Sequence, residues 1–554
     1  MNKELMKIFK LALLSVVILL SLQYCNTIAK ADSNDGFVIE DGVLIKYVGK
    51  EKNVTVPNGV TVIGYQAFLS NKIERVVIPK GVTEIRYGAF LGCHDLEEVI
   101  LPEGLKKLDR YVFYLCESLK KIDLPEGLTV ISESTFSECS GLVSVNIPDG
   151  VTEIGRAAFN RCSSLTELKI PSSVTVINKW AFFGCSMLKS INIPEKVTVI
   201  NEYTFSECIN LAEIIIPDNV TEIGKYAFEN CMKLKKISVP KKLKTIGDWA
   251  FVGCHEIDSF TIPNSVVELG SASFAGCKKI KTITIPKGIT ELKSNLFDGC
   301  ESLSNIIIPD SVVSIGDMAL SDCGFKTLPI TNYIKSIGDG AYSNNDKIAS
   351  VKLPASVKTI GEEAFARCKN LKTVYIPKSV TSIGSGAFEK SLALEKITIV
   401  NPLTKVYINK SDNMLFKGNK ADMSKKVKIY GYKGSTAEEL SKALKITFIK
   451  LDKTAMDNPD LKNKTVPKVV TSKDSYTVAI GKEIKIPYKI TDGEGYTVKV
   501  TGGIEYIDGM GYEVVSVVKV TDDYILVKGG QWTGSIKINI KVGLTSKAIK
   551  ITVK

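Results

Sequence analysis

Cysteine recurs on a ruler of 23 residues: Cys93, Cys116, Cys139, Cys162, Cys185, Cys208, Cys231, Cys254, Cys277, Cys300 and Cys323. Ten of these eleven lie three residues after a phenylalanine, from Phe90 to Phe297, and before Cys323 the ring gives way to Leu320. A constant period of this length means that each repeat is one coil and that the coils stack, burying a face none could bury alone. This one feature excludes most compact folds.

The unit reads L-x-x-V-x-I-P, x-x-V-T-x-I-G, x-x-A-F-x-x-C. In its first part apolar and polar residues alternate, as in a strand with one buried face. Proline ends that strand because it donates no ladder hydrogen bond (Pro125, Pro148, Pro171). A second short extended run follows, and the residue after its Ile is often glycine, as at Gly64, Gly155, Gly224 and Gly247. Glycine there points to a left-handed corner. The A-F-x-x-C segment is expected to be a turn of helix, its Phe and Cys facing inward.

The unit resembles the BspA-like leucine-rich repeat family of bacterial and protist surface proteins, over roughly Gly36 to Leu451. The resemblance implies a right-handed leucine-rich-repeat coil exported to the cell surface, and an adhesin or ligand-binding role. The expected fold class is a repeat solenoid, mainly β with short helical turns and about fifteen coils (58–400), plus a small C-terminal β-sandwich.

Thirteen cysteines in an exported chain would ordinarily suggest disulfides. One cysteine per coil instead makes a column of parallel side chains ~5 Å apart, which suits packing better than the disulfide dihedral. Buried cysteine behaves as a small hydrophobe. No C-x-x-C pair supplies a metal or redox site. The net charge of +12 is uneven: 401–554 holds 27 lysines against 16 acidic residues, whereas 32–400 is close to neutral. Lysine without arginine or aromatic clustering is poor nucleic-acid chemistry.

Along the chain, 1–31 reads as a Gram-positive-like signal peptide: Lys3, Lys7 and Lys10, an apolar run to Leu22, and Ala29-Lys30-Ala31 as the cleavage site. Tyr24 before Cys25 argues against lipidation of that cysteine. The expected product is secreted or at the cell surface, and not integral to a membrane after cleavage. Asp41-Gly42 marks a hairpin in an N-terminal cap, 32–57. Two coils are irregular: the first is one residue short before Pro79, and in the second Cys323 to Asn345 spans 22 residues, Phe325 takes the Leu position early, and Thr331 replaces proline. A C-terminal cap, 401–451, carries a capping box at Ser435-Thr436-Ala437-Glu438. A linker, 452–473, leads to seven short strands in 474–554, which resemble a bacterial immunoglobulin-like module.

Catalysis is not expected. His94 and His255 are seven coils, or ~34 Å, apart and cannot share a site. No phosphate loop or dinucleotide fingerprint occurs, and no cofactor is expected. Asp492, Glu494, Asp508, Asp522 and Asp523 offer calcium-type oxygens, but acids beside glycine ordinarily mark turns. The candidate binding face is the exposed side of the first strand in each coil, sampled at Lys169, Asn192, Thr261, Thr282, Thr284, Lys352 and Tyr375. Expected partners are a protein or glycoconjugate of a host or neighbouring cell, or an anionic cell-wall polymer held by the basic C-terminal region.

Overall fold

A computed structural model describes residues 35–406, 427–444 and 446–451 and, as backbone, the strands between Lys468 and Val553. The signal segment and the five candidate calcium acids lie outside the described residues.

Most coils carry two short parallel strands. The first, such as Lys121–Asp123, buries only its central residue and builds one face of the rod. The second, such as Glu153–Ile154, builds another. Both pair with the equivalent strand one period on: Ser144 to Asn146 lie opposite Lys121 to Asp123, and Glu153 and Ile154 lie opposite Val176 and Ile177. The repeat length thus fixes the register directly. The rod has about 17 turns, two more than the phenylalanine count gives. The extra rungs come from the ends. Val43 and Leu44 of the N-terminal hairpin stack on Val62 and Ile63, and Lys405 and Val406 stack on Ser382 and Ile383. In that hairpin, Phe37–Glu40 pairs antiparallel with Val43–Tyr47, and Asp41 and Gly42 are both left-handed (φ 44° and 77°), as a tight two-residue turn requires.

Two local expectations are corrected. The A-F-x-x-C segment is not helical. Its N–H groups alternate between the next coil and the residue three back: Phe90 N–H donates to Val112 O (2.9 Å), and Leu91 N–H to Gly88 O (2.9 Å). Left-handed residues two before and two after each ring drive the alternation, as at Tyr111 and Leu115 (φ 62° and 63°). A helix would keep all its bonds inside one coil; this turn spends half of them on stacking. The second correction is the glycine after Ile, which is not left-handed. A Cβ on Gly155 would stand 2.7 Å from Ile131 O, and one on Gly247 2.7 Å from Lys225 N. Backbones of successive coils touch there, so the glycine is needed for room. Where a polar residue replaces it, the side chain bonds the neighbouring coil: Asn201 Nδ2 donates to Ile177 O (2.7 Å).

The core is a set of columns. Successive phenylalanine rings from Phe68 to Phe297 stack with centroids 4.8 to 5.6 Å apart. The column breaks at Leu320 and resumes as Tyr342–Phe365–Phe388. All twelve described cysteines are buried and free. Each ruler thiol donates to the carbonyl of the preceding coil's ring residue: Cys93 to Phe68 O (3.0 Å), Cys208 to Phe182 O (3.2 Å).

The irregular coil at Cys323–Asn345 loses its first strand but keeps its second. Ser336 and Ile337 remain in register with Ser314 and Ile315 on one side and with Thr359 and Ile360 on the other. Tyr342, fully buried, donates its hydroxyl to Pro329 O (2.8 Å) in the displaced loop. A second gap in the strand face lies at Phe260. Its bulkier ring wedges edge-on against Phe251 and Phe274 (centroids 5.2 and 4.8 Å).

At the C-terminal end, Lys428–Gly431 and Thr447–Lys450 extend the strand face, and α1 (Thr436–Leu444) packs between them in sequence. The capping box forms only in part. Glu438 accepts from Gly434 N–H (2.6 Å), one residue farther back than expected, while the buried Ser435 hydroxyl finds no protein partner. In the last region the strands start earlier than expected. Lys468–Thr471, assigned above to the linker, pairs antiparallel with Glu483–Thr491. The ten described strands form two four-stranded sheets and one hairpin, and Ser475–Val478 runs parallel to Thr545–Val553.

Candidate functional site

The strand face encloses an open groove of about 1270 Å³ between Ser144 and Ser259. Its floor follows from the strand pattern. Each central residue is buried, and its two neighbours point outward as in Glu213–Ile215 (exposed, buried, exposed). Glu167, Lys169, Glu213, Lys236 and Asp258 supply charges of both signs along it. In their midst Ile215 is 73% exposed, the most exposed of the large apolar side chains described. The groove thus combines one exposed apolar side chain with charges of both signs.

Of the candidate residues named above, Lys169 and Asn192 line this groove. Asn192 is largely spent on the scaffold. Its amide accepts from Ile170 N–H (2.9 Å) and donates to Ile170 O (2.8 Å), standing in for the main-chain ladder where the strands are only two residues long. Thr261 lies in the coil without a first strand, and Thr282 and Thr284 flank buried Ile283. Lys352 and Tyr375 are register partners farther along, with Tyr375 40% exposed. From Lys169 to Tyr375 is nine coils, ~43 Å, so the set spans a long face rather than converging. The alternation places Ile215 among the outward strand positions, but it is absent from the candidate set because contact hot spots favour Trp, Tyr and Arg. The signal for it was its place one residue after the buried Ile214.

His94 Nδ1 stands 3.5 Å from Glu117, on the surface, and the twelve described cysteines are all buried. Burial pushes the Cys185 thiol up to about 12, so the thiolate that nucleophiles and metal sites need does not form near neutrality. The one strongly perturbed carboxyl in the rod's middle is Glu229, 7% exposed, where burial raises its pKa to about 7 against the opposing hydrogen bond from Ser206 Oγ (2.9 Å).

Comparison with known proteins places this geometry. No curated protein matches the chain. Among solved structures the chain is similar to a leucine-rich repeat protein from Bacteroides ovatus (26% identity, 68% of this chain and 97% of that one, TM-score 0.50). It is also similar to a leucine rich cell surface protein from Faecalibacterium prausnitzii (24% identity, 70% and 97% covered, TM-score 0.37). A leucine-rich repeat protein from Eubacterium ventriosum is a further match (27% identity, 63% and 88% covered, TM-score 0.36). The sequence model for the BspA type leucine rich repeat region matches residues 61–189, 184–304 and 290–420. With that stretch covering most of the chain, and the stacked Phe and Cys columns running through it, the protein belongs to the BspA type leucine-rich repeat family.

Proposed function

We propose that this is a non-catalytic recognition protein, exported or held at the bacterial surface, whose strand-face groove binds a protein or glycoconjugate of a host or neighbouring cell. The groove around Ile215 carries the reading: an exposed apolar centre with charges of both signs suits a protein surface better than a uniform polyanion. Membership in a family of bacterial surface leucine-rich repeat proteins supports it. Among the described residues no helix is long and apolar enough to cross a membrane. The test is binding of the full chain to immobilised extracellular-matrix proteins and cell-wall preparations, with and without Ile215→Asp. Loss of about tenfold or more in affinity, with melting unchanged, is the expected result. Equal binding by both chains would remove the groove from the account.

A second reading rests on the basic region 401–554, at +11. It would hold the protein on anionic wall polymer, with the C-terminal sheets as an immunoglobulin-like spacer. Release from cell walls that steepens between low and physiological salt is its signature, since exposed lysines are screened within about 8 Å at 0.15 M. Salt-independent retention would count against it.

A further inference from the structure

On the turn side of the rod, away from the groove, four consecutive coils place an aromatic residue two positions before the buried ring: Trp180, Tyr203, Tyr226 and Trp249. Their rings stack along the axis with centroids 4.1, 4.6 and 5.9 Å apart. All four have left-handed backbone, φ 57° to 65°. Four other coils place Gly or Asn here (Gly88, Asn295, Gly340 and Gly386), the types that adopt it with least strain, while others use Gln66, Ser134, Ala157, Ala272, Glu363, Tyr111 or Met318; four consecutive stacked aromatics occur only in this stretch of the described rod. Four large rings here carry a conformational cost of about 1 kcal/mol or more each. Stacking, at roughly 0.5–1.5 kcal/mol per contact, does little more than offset it. Trp180, Tyr203 and Trp249 remain partly exposed, and stacked rings present their edges outward. Trp and Tyr are the side chains that dominate protein interfaces.

The order is palindromic: Trp, Tyr, Tyr, Trp. The residue just before each ring is Lys179, Glu202, Lys225 and Asp248. A two-fold axis between the coils of Tyr203 and Tyr226 exchanges Trp180 with Trp249 and Tyr203 with Tyr226. It also sets Lys179 against Asp248 and Glu202 against Lys225. Three coils beyond, the same operation sets Arg110 against Asp317, and the column brings no like charges together anywhere along the rod. We propose that this turn face is an interaction surface for a second copy of the same chain, two rods meeting antiparallel about that axis.

The charge pattern is what an isologous contact needs, because each surface must be complementary to itself under the two-fold. Within one chain Lys179 already pairs with Glu202 (2.9 Å), and Lys225 lies over the Tyr226 ring (5.3 Å). In the pair these become a network of opposite charges around the ring edges, which favour tilted and edge-to-face contact. A stable interface buries about 800 Å² per partner, so neighbouring coils would join the four central ones in the contact. None of Trp180, Tyr203, Tyr226 and Trp249 lines the groove around Ile215, so the contact does not use the groove's own residues.

The inference does not depend on what the groove binds, and its readout is the oligomeric state alone. Sedimentation equilibrium of the full-length protein over about three decades of concentration should show a reversible monomer–dimer equilibrium. Lys225→Glu places like charges against the partner's Glu202 twice per dimer, and Glu202→Lys does the same against Lys225. Each variant should dimerise about tenfold or more weakly, with unchanged melting. An equimolar mixture of the two variants should recover the wild-type affinity, because the mixed pair restores both contacts. A chain that stays monomeric throughout, variants that dimerise like the wild type, or a mixture that fails to recover would each overturn the proposal.

Discussion

At the residue scale the ruler cysteine is a hydrogen-bond donor of fixed size. Where the ruler loses it, Asn345 Nδ2 donates to Leu320 O (2.8 Å) and Ser391 Oγ to Phe365 O (3.0 Å), the same bond to the preceding coil. Cys208→Ser should therefore cost less than Cys208→Ala, which leaves Phe182 O without the thiol and opens a small cavity. The alanine is expected to cost about 1–2 kcal/mol, and thermal unfolding of the two variants checks the order. Thiol reagents should leave all twelve described cysteines unreacted until denaturant is added, the expectation for fully desolvated thiols. Glu229 behaves in the opposite sense to a surface carboxylate. Its folded pKa, about 7, lies above the unfolded value near 4.5 because burial disfavours the charge, and nearby Glu207 adds to the shift. Its contribution is therefore fully present below the unfolded value and is lost as pH rises through the folded one. Glu229→Gln should stabilise the rod at pH 8 but not at pH 4, by on the order of 2 kcal/mol. Equal melting shifts at the two pH values would contradict this.

At the scale of the element, the two glycine classes separate by cause, and their substitutions should separate too. A Cβ on Gly224 would stand 2.8 Å from the backbone of Glu202, where nothing flexible can yield. Gly88 is left-handed (φ 59°), with only side-chain atoms, the nearest at 3.3 Å, around it. Gly224→Ala is expected to cost about 3 kcal/mol or more through coil separation, and Gly88→Asn less than 1, since asparagine tolerates that backbone. Urea unfolding distinguishes them. Element type was legible in the alternation of Val, Ile and Pro, because a strand with one dry side must repeat in twos. The turn is not legible in this way, because A-F-x-x-C has the spacing of a helical face. The left-handed residues that forbid a helix include Tyr, Trp and Leu, types that give no such warning in sequence.

Across the whole molecule, stability is distributed by nearest neighbours. Ion pairs also run along the axis one period apart, as Lys107–Glu84 (2.7 Å) and Lys120–Glu97 (2.6 Å) do. Exposed pairs of this kind contribute about 0–1 kcal/mol each and serve chiefly to oppose slippage of register. The ends matter more. Lys428–Gly431 covers the strand edge of Lys396–Ile399, and Ile429 beneath it is fully buried. Ile429→Lys should unseat this cap and expose a sheet edge that recruits other chains; light scattering on warming should rise well before the wild type's does. The irregular coil at Cys323–Asn345 shows how the rod tolerates a missing residue. The second-strand ladder stays continuous while the strand face gives way, and the buried Tyr342 reaches into the displaced loop.

The amino-acid sequence alone determined the period, the stacked register and the identity of the buried columns. Those follow from repetition: once each coil buries the same face, position in the ruler fixes which side chains are dry. Only the tertiary structure decided which exposed residues share a groove, why glycine follows Ile, what the thiols bond, and that Trp180 to Trp249 form one stack. Each of these depends on the distance between successive backbones and on the sign of φ, quantities that only the closed coil establishes.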